Sequence, residues 1–120
     1  MRYAEITKPN LLQDAFYTYR RNNLANSEGA FSQCVLGQRP NYYSSMMARG
    51  RRPSLKVMKA LLDTTMLITD RLFANPHYGQ PYAMALNQAY EELEQLSQDI
   101  AVKLELQVVA DQWDCADGKL

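Results

Sequence analysis

The sequence predicts an all-α fold of four to five helices. Three observations predict it. Apolar residues recur at spacings of three and four through most of the chain, proline and glycine fall between those runs, and no pair of alternating strands is evident. A chain of 120 residues, 47% hydrophobic, suits one compact domain with a helical arm.

The elements follow in order. The first helix is expected from about Asn10 to Leu24, with Leu11, Leu12, Ala15, Phe16 and Tyr19 as its apolar stripe and Asn10 as cap. The segment 22-NNLANSEG-29 reads as a connector. A short second helix should run from Ser27 or Glu28 to Leu36, burying Ala30, Phe31, Cys34 and Val35, and Gly37 stops it by turning through positive φ. After 38-QRPN-41, Asn41 is the expected cap of a third helix from Tyr42 to Ala48 or Arg49, which Gly50 ends. Pro53-Ser54 opens a fourth helix, expected to reach Ala74 and to be central to the core, because its second half is apolar over much of its girth.

The stretch 75-NPHYGQP-81 breaks the pattern. A last helix starts near Pro81 or Tyr82, where Tyr82, Leu86, Ala89, Leu93, Leu96, Ile100, Leu104 and Val108 form nearly a heptad seam. The part 104-LELQVVA-110 also fits the period of a strand. The expected organisation is a helix-turn-helix domain over 1–74, a linker over 75–81, an arm over 82–111 and a frayed tail over 112–120.

Net charge is zero, but the charges are segregated. Residues 1–60 hold ten Lys/Arg and three Asp/Glu, a balance of +7, and residues 61–120 hold three and ten, a balance of −7. A basic half suggests a polyanionic partner. The basic residues converge on 43-YSSMMARGRRPS-54. Two short helices joined by a tight turn suggest a helix-turn-helix. A recognition helix needs small or polar side chains at its start, where base edges are read, and its N–H groups and dipole suit a phosphate. Flanking cations hold the nucleic-acid backbone. Arg49, Arg51 and Arg52 are therefore expected as phosphate clamps.

The segment 36-LGQRPNYYSSMMARGRRPS-54 resembles the lambda-repressor/Cro family of bacterial and phage helix-turn-helix regulators. The resemblance rests on Leu36-Gly37, Tyr43-Ser44, Arg49-Gly50, Arg51-Arg52, Pro53-Ser54 and the leucine-rich run from Leu55 to Leu62, and covers roughly residues 8–74. It implies a lambda-repressor-like domain that binds double-stranded DNA. The chain departs from the pattern at Gln33, where a small residue is usual four before the glycine, at Pro40 in the turn, and in a Gly37–Gly50 spacing longer by one residue.

The candidate base-reading residues are Gln38, Arg39, Asn41, Tyr42, Ser44 and Ser45. Arginine suits guanine, and asparagine suits adenine where it is not occupied as a cap. Lys56 and Lys59 join the three arginines as phosphate candidates. Met46 and Met47 read as packing residues, and one or two of Tyr43, Met46 and Met47 should pin the third helix to the core. Leu86, Leu93, Leu96, Ile100 and Leu104 are the candidate dimerisation residues, since two copies about a two-fold axis would read a palindromic operator.

Other functions fit less well. The single histidine, His77, sits in a Pro/Gly loop with no suggested catalytic partner, so no enzyme is expected. No metal-ligand cluster and no phosphate-binding glycine loop point to a metal or other cofactor. Cys34 reads as a small buried hydrophobe and Cys115 as a free thiol near the tail, without a disulfide framework. No signal segment or membrane span is evident, so a soluble cytoplasmic protein is expected. The rival reading is an adaptor or antitoxin-like protein that binds a protein partner through its last helix.

Overall fold

The structure, a computed structural model, describes residues 10–112. Cys115 and the tail from residue 113 onward lie outside the described residues. Within them the chain forms five helices and no strand: α1 (Leu11–Arg21), α2 (Glu28–Ala30) running on into a π-helical turn (Phe31–Val35), α3 (Tyr42–Arg49), α4 (Leu55–Phe73) and α5 (Met84–Gln112). They divide into two compact units, one ending at Pro53 and the other beginning at Ser54. This division falls before α4. α4 groups with α5 because those two helices pack along each other.

In the first unit Asn10 caps α1 by accepting the Gln13 N–H at 2.7 Å. The helix stops at Arg21 rather than Leu24, because Asn23 takes φ 60° and turns the Leu24 N–H back to the Tyr19 carbonyl at 2.8 Å. Ser27 caps α2 through the Ala30 N–H at 3.1 Å. The core is a cluster of four rings. Phe31 lies 5.4 Å from Phe16, 5.5 Å from Tyr19 and 5.6 Å from Tyr43 between centroids, near edge-to-face, and Phe16 lies 4.7 Å from Tyr43. Such pairs add about 0.5–1.5 kcal/mol each beyond their burial. Leu12, Ala15, Val35 and Leu36 are buried with them.

Cys34 is exposed, not buried as its place in the apolar pattern suggested. The buried stripe of this segment is Phe31, Ser32, Val35 and Leu36, shifted by one residue. A serine takes the inward position because its hydroxyl is fully hydrogen-bonded there, which apolar periodicity does not register.

The second unit is a helical hairpin. Ser54 caps α4 by accepting the Val57 N–H at 3.3 Å. α4 buries Val57, Met58, Leu61, Thr65 and Thr69, while Met66, Leu67 and Phe73 stay exposed. Its second half is thus less central than its composition suggested. Thr65 and Thr69 return their hydroxyls to the helix carbonyls of Leu61 and Met66, at 2.7 and 2.8 Å, so threonine occupies the inward stripe without an unpaired polar atom. α5 buries Leu93, Leu96, Ser97 and Ile100, and the stretch 104–110 is helix, not strand. In the turn between the helices, Asn87 accepts the Gly79 N–H at 2.8 Å and donates to the Gln80 carbonyl at 3.1 Å. His77 lies in this turn and is exposed, with Nδ1 2.9 Å from the Tyr82 hydroxyl.

Candidate nucleic-acid interface

The first unit carries the candidate site on α3 and the segments at its two ends. Gly37, at φ 66°, closes the π-helical turn and lets the Gln38 N–H reach back to the Ser32 carbonyl at 2.8 Å. Pro40 then packs on the start of α2, where a Cβ at Gly29 would meet the proline Cβ at 3.6 Å. Gly50, at φ 61°, ends α3 and turns the Arg51 N–H back to the Met46 carbonyl at 3.3 Å.

The position of α3 depends on a residue that sequence reasoning passed over. The Tyr43 N–H donates to Ser32 Oγ at 3.0 Å, and that hydroxyl donates to the Glu28 carbonyl at 2.9 Å. Ser32 has no solvent exposure. It therefore caps α3 from eleven residues upstream. Asn41, expected to cap with its own side chain, makes no such bond. Its backbone sits at φ −91°, ψ 7°, away from the extended geometry of a usual N-cap. The only sequence signal for Ser32 was a serine beside Phe31 in an apolar stretch.

The Asn41 amide is consequently exposed and not used as a cap. Around it Arg39 and Ser44 are exposed, and Gln38, Tyr42 and Ser45 are half-buried. Ser44 donates to the Asn41 carbonyl at 3.1 Å. Burial pushes the Tyr42 phenol pKa up. Tyr43 points inward, where burial first, then Tyr17 and Glu28, push its phenol up to about 12. Tyr43 thus pins α3 to the core, and Met46 and Met47 are half-buried beside it.

The helix start offers fewer free donors than expected. The N–H groups of Tyr42, Tyr43 and Ser45 are used inside the protein, on the Arg39 carbonyl, Ser32 Oγ and the Asn41 carbonyl. Anion binding therefore falls to the arginine side chains. Arg39, Arg49, Arg51 and Arg52 are all exposed, and none forms an ion pair with another described residue. Six arginines face two carboxylates, Asp14 and Glu28, between residues 10 and 53. α3, eight residues and about 12 Å long at about 1.5 Å rise per residue, has Arg39 before its start and Arg49, Arg51 and Arg52 at and after its end.

The remaining candidates lie in the second unit. Lys56 and Lys59 are exposed on α4, and Lys59 makes a surface ion pair with Asp63 at 3.7 Å. Leu93, Leu96 and Ile100 are buried within the single chain, and Leu86 and Leu104 are half-buried. The central part of the heptad seam is closed by the chain's own fold. α5 leaves Val102, Leu106 and Val109 exposed instead.

A family model matches residues 12–113. The chain belongs to the family of unknown function DUF6626. The match spans both units of this DUF6626 protein, from α1 to the end of α5. No curated protein and no solved structure matches the chain. Among the described residues no helix is long and apolar enough to cross a membrane, and no group of His, Cys, Asp and Glu is placed to hold a metal ion.

Proposed function

We propose that this DUF6626 protein binds double-stranded DNA sequence-specifically, as a transcriptional regulator that reads a palindromic operator with two copies of the chain. One observation carries the reading: four exposed arginines without carboxylate partners among the described residues bracket the exposed, polar start of a short helix anchored to its own core. Arginines before and after the helix suit the phosphates that flank a groove, and the exposed Asn41 and Arg39 suit adenine and guanine edges.

The π-helical turn also supports the resemblance to lambda-repressor/Cro regulators. Those proteins usually carry a small residue four before the glycine of the turn, a position held here by the exposed Gln33. A π turn inserts one residue into a helix. The small buried residue then falls five before Gly37, at Ser32.

A second reading, an adaptor that binds a protein through its last helix, draws on the exposed Val102, Leu106 and Val109, which share one face of α5 at spacings of four and three.

The test is selection from random duplex DNA at moderate salt, with the wild type and an Arg49/Arg51/Arg52 triple-alanine variant. A palindromic motif recovered only by the wild type is expected. The log-log salt dependence should flatten by about 2.7 in the variant if each arginine neutralises one phosphate, at about 0.9 per contact. Equal recovery of all sequences by both proteins would refute DNA reading and favour the adaptor.

A further inference from the structure

The hairpin of the second unit ends in a surface unlike the rest of the chain. Residues 72–90 contain no Asp, Glu, Lys or Arg, in a chain that is 22% charged. The same stretch holds Phe73, Tyr78, Tyr82, Met84 and Tyr90. Phe73, Tyr78 and Tyr90 form a ring cluster with centroids 4.9–5.7 Å apart. Even so, Phe73 is 61% exposed, Tyr82 72% and Met84 75%. Aromatic residues and methionine are enriched, and charge depleted, at the centre of protein interfaces.

The tip is also built to hold still. The Tyr78 N–H bonds to the Asn75 carbonyl at 2.9 Å, the His77 N–H to Asn75 Oδ1 at 2.9 Å, and Asn87 ties Gly79 and Gln80 to α5. These bonds fix the turn from which the side chains of the tip project. Ordering them in advance reduces the entropy lost on association.

The occupant follows from charge. In a two-fold pair the same patch meets itself, so every charge near the axis faces its own like. A surface without formal charge avoids that repulsion. It also lacks the cations that would draw it to a nucleic acid or an anionic membrane. We infer that the uncharged aromatic tip of the hairpin, centred on Phe73, His77, Tyr82 and Met84, is where a second copy of this chain pairs with the first about a two-fold axis.

The size of the patch sets the strength. Large side chains bury about 150–250 Å² each, so Phe73, Tyr82 and Met84 at their observed exposures offer about 300–500 Å² per copy. The exposed Pro76, His77, Gln80 and Pro81 bring the pair toward the lower bound for specific interfaces, about 1,200 Å² in total. An area at that bound belongs to weak, reversible contacts, and a Kd on the order of 10 µM sets the concentrations to search.

The pairing deepens the two-copy reading of an operator but is tested without DNA, so that either can fail alone. Sedimentation of the full chain would be followed from about 1 to about 200 µM, the range that brackets such a Kd. Three variants accompany the wild type: Met84→Glu, which places like charges on the axis, Tyr82→Ser, and Leu106→Glu on the exposed stripe of α5. Far-UV circular dichroism checks that each remains helical. The wild type should dimerise, Met84→Glu and Tyr82→Ser should weaken the dimer tenfold or more, and Leu106→Glu should leave it unchanged. A wild type that stays monomeric throughout would overturn the inference. So would a dimer indifferent to both tip variants, and one lost only in Leu106→Glu would move the contact to α5.

Discussion

Replacing Ser32 with alanine removes one oxygen atom and tests how α3 is positioned. Ser32 is fully buried, and its hydroxyl accepts the Tyr43 N–H at 3.0 Å while donating to the Glu28 carbonyl at 2.9 Å. Alanine leaves that N–H buried with no acceptor. A lost cap costs about 0.5–2 kcal/mol, and an unsatisfied buried donor about 1–3 kcal/mol. These describe the same broken bond and are not summed. Ser32→Ala should therefore destabilise the protein by about 1–3 kcal/mol, about 5- to 150-fold in the unfolding constant. Urea denaturation gives the free energy, and hydrogen exchange at the Tyr43 amide localises it. Ser44→Ala is the control, since that serine is exposed and bonds only to the Asn41 carbonyl at 3.1 Å. It should stay within about 0.5 kcal/mol of the wild type. If Ser32→Ala also stays within that margin, with Tyr43 exchange unchanged, Ser32 does not cap α3 and the account of the turn is wrong.

Three further outcomes are expected. Gly50→Ala should lower stability by about 1–2 kcal/mol, because alanine is strained at φ 61°. No atom lies within 4 Å of the added Cβ, so Gly50→Asn should recover part of the loss in thermal melts. Ile100→Ala, at a fully buried site on α5, should cost about 2–5 kcal/mol. The loss should not depend on protein concentration, whereas a seam that formed only between two copies would give a concentration-dependent one. Tyr43 should titrate at about 12, against about 10 when unfolded. Below the unfolded value both states hold the proton and the stabilisation is complete. Between the two values the unfolded chain ionises first, so stability falls as pH rises. Absorbance titration should show the last phenol missing in Tyr43→Phe.

Much of the helical framework was legible in local signals. Asn10, Ser27 and Ser54 each cap the helix their position announces. Gly37 and Gly50 take the positive φ that the turns require. These features depend on neighbours within a few residues, so residue type and spacing suffice to reveal them. The charge segregation and the arginine cluster likewise follow from composition, and the arginines are exposed as a cluster of like charge must be.

The tertiary structure decided the points at which local preference and long-range pairing compete. Asn41 is a good cap by type, yet Ser32, eleven residues before Tyr43, supplies the bond, and the buried stripe that includes this serine leaves Cys34 exposed. A heptad seam can close on another copy or on the same chain with equal periodicity. Here α4 lies within reach, and Leu93, Leu96 and Ile100 are buried inside one chain. Periodicity records that a face will be covered. Which surface covers it depends on chain connectivity and on where unpaired polar groups find partners, and both are properties of the folded molecule.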